Sequence, residues 1–143
     1  MTHTTRTEEE TKKIAAEFTS LLNGGEVVFL QGELGSGKTT FVRGVAEAFG
    51  FHEPVRSPSF TIVNRYPVDH AKIKQILHVD FYRIEDPSEI LPLALEEEVG
   101  RADTVTFIEW PENAQGRIFQ PLYRIQFLTQ GDVHSITLLP LPR

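Results

Sequence analysis

Residues 32–39 read Gly32-Glu33-Leu34-Gly35-Ser36-Gly37-Lys38-Thr39 and fit the pattern G-x-x-x-x-G-K-S/T of a phosphate-binding loop. The apolar run 27–30 precedes this stretch, and apolar residues at helical spacing follow it as far as Gly50. A strand, a glycine-rich loop and a helix in this order are the context that the motif requires. The stretch therefore predicts a nucleotide-binding loop rather than a chance pattern in a glycine-rich turn.

The residue types of the loop match the chemistry of a nucleoside triphosphate. Its glycines permit backbone angles that turn successive N–H groups toward the β-phosphate, and the following helix adds its positive end. Lys38 is expected to bridge the β- and γ-phosphates, and the Thr39 hydroxyl to hold Mg²⁺. The predicted nucleotide contacts of the loop are Glu33, Leu34, Gly35, Ser36, Gly37, Lys38, Thr39 and Thr40.

Length and composition predict one domain over residues 1–143. A net charge of −6 argues against a large nucleic-acid footprint of its own, so any RNA is expected to be held by another protein. The absence of cysteine excludes disulfides and thiolate metal sites. The first residues lack the apolar core of a signal peptide, and no apolar run approaches the roughly 20 residues of a membrane span. We expect a soluble, cytoplasmic protein with no membrane contact.

Two carboxylates follow strand-like runs. Asp80 ends the run that begins at residue 73, and Glu109 follows the buried run 104–108. Because the carboxyl ends of strands in an α/β sheet face the ligand crevice, both are expected at the nucleotide site, with Glu109 as the Walker B type of Mg²⁺ ligand. Asp80 is alternatively an N-cap or a partner of Arg83. His78 shares the face of Asp80 and either orients it or is a hydrogen-bonded structural histidine.

Two further residues have both a structural and a functional interpretation. Residues 7–10 form a capping box that opens a helix extending to Leu22, and Thr11 near its start either touches the base or ribose or is a solvated helix residue. Trp110, the single tryptophan, is either a core anchor or, as we favour, an aromatic side chain at the mouth of the site.

Several segments complete the predicted architecture. Residues 57–61 are either a switch loop that senses the γ-phosphate or an ordinary loop entering a strand, and 69–72 form a hairpin tip. A short helix is expected over 86–95, and Glu96 to Glu98 are its solvated end or an acidic contact surface. A hairpin at 129–132 joins the last two strands. We predict an α/β, three-layer P-loop NTPase fold with a mostly parallel sheet and an antiparallel C-terminal hairpin.

Four stretches together resemble the bacterial TsaE (YjeE) family by their order and spacing: 32–41, 57–61, 78–83 and 108–112. The resemblance implies the small ATPase component of the machinery that adds threonylcarbamoyl to the adenosine beside the anticodon in tRNAs reading ANN codons. It implies two protein partners, TsaB and TsaD, of which TsaD carries the transfer chemistry, and contact with tRNA only through that complex. ATP binding and hydrolysis would reset or activate TsaB–TsaD.

The resemblance also implies residue roles that agree with those expected from the motifs. Lys38 corresponds to the phosphate-binding lysine and Thr39 to a Mg²⁺ ligand. Glu109 corresponds to the metal-binding carboxylate, Asp80 to the second acidic residue near the γ-phosphate, and Trp110 to the aromatic residue beside the metal.

The expected chemistry is the hydrolysis of ATP to ADP, with Lys38, Asp80 and Glu109 as catalytic residues. Mg²⁺ would lie between Thr39 and Glu109, and Asp80 would position or polarise the attacking water. Hydrolysis by the chain alone should be slow because no arginine finger is obvious, so Arg83 or a partner would supply the missing group.

Three alternatives share the loop. A small-molecule kinase needs a lid and an acceptor pocket, for which 143 residues leave little room. A GTPase lacks its N-K-x-D signature here. A nucleotide-gated binding module with incidental hydrolysis needs the same ligands as an ATPase.

Overall fold

The computed structural model describes residues 1–33, 35–51, 62–114 and 120–141. Leu34 and the predicted switch segment 57–61 lie outside the described residues. Within the described ranges there are two α-helices, α1 (Glu8–Phe18) and α2 (Lys38–Ala48). The strands are β1 (Thr2–Thr5), β2 (Val27–Gln31), β3 (Val63–Pro67), β4 (Gln75–Asp80), β5 (Thr104–Glu109), β6 (Tyr123–Gln130) and β7 (Val133–Pro140). No helix in these ranges is long and apolar enough to cross a membrane.

The strands form one sheet in the order β1-β7-β6-β2-β5-β4-β3. The central strands β6, β2, β5 and β4 run parallel, whereas β3 pairs antiparallel with β4 and β7 antiparallel with β6. This arrangement confirms the predicted mostly parallel sheet and its antiparallel C-terminal hairpin. Strand β1 was not predicted; it pairs antiparallel with β7, and its threonines are β-branched residues that suit an edge strand.

Both faces of the sheet are covered, as the three-layer prediction requires. On one face, α1 and α2 pack over a core in which the Phe41 ring lies 5.7 Å from that of Phe18 and 5.6 Å from that of Phe127, centroid to centroid. The opposite face is covered by buried residues after β4, among them Phe81 and Leu95. The parallel strands are therefore apolar on both sides, which explains their continuous hydrophobic runs.

The short helix predicted over 86–95 does not form one continuous α-helix. The chain forms two 3₁₀ segments instead, Pro87–Leu93 and Leu95–Glu97, separated by Ala94 in a left-handed conformation with φ of 50°. Pro92 lacks the N–H that an α-helix would need at that position. Of the three glutamates that follow, Glu98 is not free for a partner because it forms a bidentate ion pair with Arg65, with a shortest N–O distance of 2.5 Å.

Helix α1 begins with the predicted capping box. The Thr7 hydroxyl accepts the Glu10 N–H at 3.1 Å, and the Glu10 carboxylate reaches back to accept the Arg6 N–H at 2.9 Å. The α-helix ends at Phe18 and continues as a 3₁₀ turn, Thr19–Leu21, so its predicted extension to Leu22 is one turn too long as an α-helix. The cap fixes the start of α1 beside the end of β1.

Helices α1 and α2 approach closely at Gly44. A Cβ at this position would lie 2.8 Å from the Cβ of Ala15 and 2.8 Å from the Cα of Lys12. Atoms do not pack at such distances, so the absence of a side chain sets the spacing of the two helices. Since α2 begins inside the glycine-rich loop, this contact also positions the loop against α1.

We predict that Gly44→Ala destabilises the protein by about 1–3 kcal/mol, although alanine is the better helix former. The new methyl group must push α1 away from α2. Urea denaturation measures the loss. Ala16→Gly, at an exposed site in α1, provides the control for helix propensity alone and should cost about 0.5–1 kcal/mol. A Gly44→Ala variant more stable than wild type would contradict the close approach.

Candidate functional site

The candidate site lies at the edge of the sheet where the parallel strands β2, β5 and β4 end. The register places Leu30 of β2 beside Glu109 of β5, and Glu109 beside Asp80 of β4. The glycine-rich loop continues directly from β2. A cleft of about 440 Å³ opens here, and its lining residues are Arg6, Thr7, Glu8, Thr11, Gly35, Gly37, Lys38, Thr39, Thr40, Asp80, Glu109 and His134.

The loop holds a backbone path that its glycines make possible. Gly37 precedes α2 with a φ of 106°, a left-handed conformation that side-chain-bearing residues rarely adopt. At Gly32 a Cβ would lie 2.6 Å from the carbonyl oxygen of Phe127. The loop therefore turns tightly against β6 and opens the first turn of α2 toward the cleft, with no side-chain cap at Gly37. Such an uncapped helix start offers N–H donors and a positive dipole end to an anion.

Lys38 is folded across the loop and is only 4% exposed. Its ammonium group donates to the carbonyl of Gly32 and lies 3.6 Å from Oε1 of Glu109. It also lies 5.0 Å from the ring centroid of Trp110, over the aromatic face. The buried cation is thus paired with the Glu109 carboxylate and also contacts a carbonyl oxygen and an aromatic face.

The buried acidic pair is completed by a histidine. His78 is fully buried, and its Nε2 lies 2.6 Å from Oε2 of Glu109. Of the two interpretations of His78, the structure shows a hydrogen-bonded histidine, and its partner is Glu109 rather than Asp80. Oδ1 of Asp80 accepts instead the backbone N–H of Tyr82 at 2.8 Å, a local turn contact. His78 lies opposite Phe107 in the β4–β5 register, which leaves Glu109 as its diagonal neighbour on the same face.

Burial raises the pKa of Asp80 above its ordinary value. The Tyr82 N–H opposes this by stabilising the carboxylate, the negative charge of Glu109 raises the pKa further, and His78 and Lys38 lower it. Asp80 is thus a carboxylate that holds a proton more readily than an exposed one. A carboxyl group whose pKa is raised and that faces a cleft suits proton transfer.

Trp110 lies beside Lys38 in a strained backbone conformation, with φ of 57°. Its ring also packs on Tyr82, with centroids 5.0 Å apart. Together with Glu33, Ser36 and Lys38 it lines a second cleft of about 260 Å³ beside the loop. Trp110 is half-buried, so the structure places it between the core and the loop surface. Backbone strain of this kind clusters at functional sites.

Thr11 lies in the cleft and is buried, so the interpretation as a solvated helix residue is wrong. Its hydroxyl lies 2.9 Å from that of Thr5. Four lining residues were not predicted as site residues from the sequence: Arg6, Thr7, Glu8 and His134. They meet only because β1 pairs with β7, which sets Thr5 opposite His134. The β-branched run at the N-terminus is the one local signal that could have suggested this pairing.

Comparison with known proteins identifies the family of the chain. The family model described as "Threonylcarbamoyl adenosine biosynthesis protein TsaE" matches residues 5–136. The chain belongs to the TsaE family. The match runs from the last residue of β1 to the middle of β7 and so includes every residue that lines the cleft.

Family relatives match over most of the chain. A TsaE protein of Bacillus subtilis is 37% identical over 87% of this chain and 75% of its own length, and one of Rickettsia bellii is 37% identical over 87% and 84%. A TsaE protein of Aquifex aeolicus is 49% identical, over 55% of this chain and 59% of its own length. All three are named tRNA threonylcarbamoyladenosine biosynthesis proteins.

A solved relative confirms the fold. The crystal structure of YdiB from Bacillus subtilis superposes with a TM-score of 0.76 at 30% identity, covering 99% of this chain and 86% of that one. The predicted α/β P-loop architecture is therefore that of the TsaE family.

The raised pKa of Asp80 predicts a pH-dependent cost in stability. The folded chain holds the Asp80 proton more tightly than the unfolded chain does, so ionisation destabilises the fold as pH rises above the ordinary range of about 4. Asp80→Asn keeps an oxygen for the Tyr82 N–H and removes the charge. We expect it to raise the free energy of unfolding at pH 8 by about 0.5–2 kcal/mol, and by less at pH 5.

Urea unfolding without nucleotide at the two pH values measures this gain. Asp132→Asn, in the exposed turn between β6 and β7, removes the same charge from the surface and controls for net charge. A loss of stability in Asp80→Asn at pH 8 would contradict the assigned cost of burial.

Proposed function

We propose that this chain binds ATP or ADP with Mg²⁺ in the 440 Å³ cleft and hydrolyses ATP as the ATPase of tRNA threonylcarbamoyladenosine biosynthesis. The observation that carries the proposal is the meeting of Lys38, Thr39 and two buried carboxylates at one edge of the sheet, behind a glycine-rich loop. Family membership supplies the pathway.

The cleft fits a nucleotide in size and in chemistry. Its volume lies in the range of small-molecule sites, roughly 300–1,000 Å³. Gly35, Gly37 and Lys38 line the part that suits phosphates, whereas Thr11, Arg6 and His134 belong to the other elements that wall it. We place the phosphates at the loop and the base and ribose toward α1 and β7.

The same residues fit Mg²⁺. The ion usually keeps several waters and takes one or two protein ligands beside the substrate phosphates. Thr39 and Glu109 both line the cleft and supply a hydroxyl and a carboxylate oxygen, the donors that Mg²⁺ prefers. A group of three or more His, Cys, Asp or Glu side chains able to hold a metal is not found in the described part of the chain, and this mode of binding does not need one. Bound Mg²⁺ would neutralise charge on the phosphates.

The residues of the chain have distinct roles in the proposed reaction. The ammonium group of Lys38 leaves the Gly32 carbonyl and the Glu109 carboxylate and contacts phosphate oxygens instead. There it stabilises the negative charge that develops on the phosphate oxygens. Asp80 orients the attacking water and accepts its proton, a task that its raised pKa suits. Hydrolysis is slow in the isolated chain because phosphoryl transfer requires complete positioning and charge neutralisation. A partner, or Arg83, supplies the missing cation.

The proposed partners are TsaB and TsaD, in the cytoplasm. The net charge of −6 disfavours direct binding of the tRNA phosphate backbone by this chain, so tRNA is reached through the complex. Hydrolysis then resets or activates TsaB–TsaD for modification of tRNAs that read ANN codons.

We predict that ATP with Mg²⁺ protects the chain against thermal unfolding. At a ligand concentration of 100 times Kd the gain is about 2.7 kcal/mol. Lys38→Met should abolish most of it because the ammonium group is lost while the apolar stem is kept. Lys72→Met, at an exposed position near the β3–β4 turn, is the matched control and should retain the protection. No protection of the wild type would refute nucleotide binding in this cleft.

We predict a low ATP hydrolysis rate for the chain alone, stimulated when TsaB and TsaD are both added. Asp80→Asn should lower the stimulated rate by about 10²-fold or more while ATP protection is kept, and Asp132→Asn should leave it unchanged. Phosphate release measures the rate. Tight ATP binding without stimulation would favour the nucleotide-gated binding module, and phosphate transfer to an added small molecule would favour the kinase.

A Glu109→Ala variant then tests whether hydrolysis is the working step. Loss of tRNA modification with ATP binding and complex assembly retained is the expected result. Retained modification would show that occupancy of the site is sufficient.

A further inference from the structure

The imidazole of His78 is a fully buried neighbour of the site residue Glu109. His78 does not line the cleft, whereas Asp80 and Glu109 do. It is fully buried on the helix-covered face of the sheet, between the core residue Ile76 and the site residue Asp80 on the same strand. Within the described part of the chain, its hydrogen bond to the site is the 2.6 Å approach of Nε2 to Oε2 of Glu109.

This contact has a defined direction. An ionised carboxylate only accepts hydrogen bonds, so Nε2–H of His78 donates and Oε2 of Glu109 accepts. The two residues are diagonal neighbours on adjacent parallel strands, which holds both side chains by the backbone register rather than by flexible loops. The geometry thus fixes the rotation of the Glu109 carboxylate.

The second ring nitrogen shows that an imidazole at this position costs free energy. Nδ1 of His78 is buried and has no hydrogen-bond partner among the described residues. An apolar side chain would avoid an unsatisfied buried polar atom, which is worth about 1–3 kcal/mol. Packing alone therefore does not account for the imidazole, whereas the donor to Glu109 does.

The two oxygens of Glu109 are consequently divided between two partners. Oε2 is held by His78, and Oε1 lies 3.6 Å from the ammonium group of Lys38. When Lys38 turns to phosphate, Oε1 is the oxygen that becomes free. We propose that His78 is a positioning residue that holds Oε2 and leaves Oε1 as the oxygen presented to Mg²⁺; this inference rests on the proposed function.

The test compares two amide replacements that differ only in reach. His78→Gln can place an amide N–H near the position of Nε2 and so keep the donor to Glu109. His78→Asn is shorter by one methylene, ends near the position of Nδ1 and loses that donor. The pair keeps the amide polarity and differs by one methylene, which decides whether the hydrogen bond to Oε2 can form.

The measured quantity is the affinity for ADP over a series of free Mg²⁺ concentrations, followed by fluorescence of Trp110, the single tryptophan. Binding of ADP in EDTA gives the metal-free affinity. For His78→Asn we expect the Mg²⁺ concentration at half-maximal effect to rise about 10-fold or more, the usual loss when the hydrogen-bond partner of a metal ligand is removed. His78→Gln should stay within about threefold of wild type, and metal-free affinity should change little in either variant.

Each outcome decides the inference. An unchanged Mg²⁺ midpoint in His78→Asn, or an equal loss of metal-free and Mg²⁺-dependent affinity, assigns His78 a purely structural role and overturns the proposal. If His78→Asn does not fold, His78→Leu, which fills the space with apolar atoms, is measured against His78→Gln with the same expected difference. If Mg²⁺ does not change the affinity of the wild type for ADP, the proposed metal site itself is refuted and this inference loses its basis. A wild type that responds to Mg²⁺ while the variants do not differ refutes the role of His78 alone.

Discussion

The parallel register of β2, β5 and β4 is the constraint on which the rest of this structure depends. It brings the start of the glycine-rich loop, Glu109 and Asp80 to one edge of the sheet, although these residues are far apart in the chain. The strands carry apolar side chains on both faces, so the core holds the backbone of the site in register. The spacing of α1 and α2 at Gly44 extends this control to the loop.

The site concentrates charge where burial makes it costly. Lys38, Glu109, His78 and Asp80 are all nearly inaccessible to solvent, and the raised pKa of Asp80 records the desolvation. The positive φ of Trp110 adds strain at the same place. These features oppose stability, and the surrounding apolar core outweighs them. Such a balance is expected where a protein keeps charged groups ready for a ligand that will neutralise them.

Segments near both ends of the described chain line the cleft, which therefore depends on nearly the whole region that the family model matches. Strand β1 pairs with β7, and this pairing places the start of α1 and His134 on the wall opposite the loop. The family model extends over residues 5–136, from β1 into β7. The cleft thus requires almost the whole matched region, which explains why a short motif suffices to predict the loop but not the complete site.

Local patterns in the sequence determined the glycine-rich loop, the capping box of α1, the C-terminal hairpin and the two carboxylates at strand ends, because each depends on residues close together in the chain. Tertiary structure alone decided that His78 bonds Glu109 rather than Asp80, that Thr11 is buried, and that β1 closes the cleft. These outcomes depend on the register between strands and on pairings between distant segments. A side-chain period of two shows which residues share a face, but it does not show which neighbour on the next strand each residue meets.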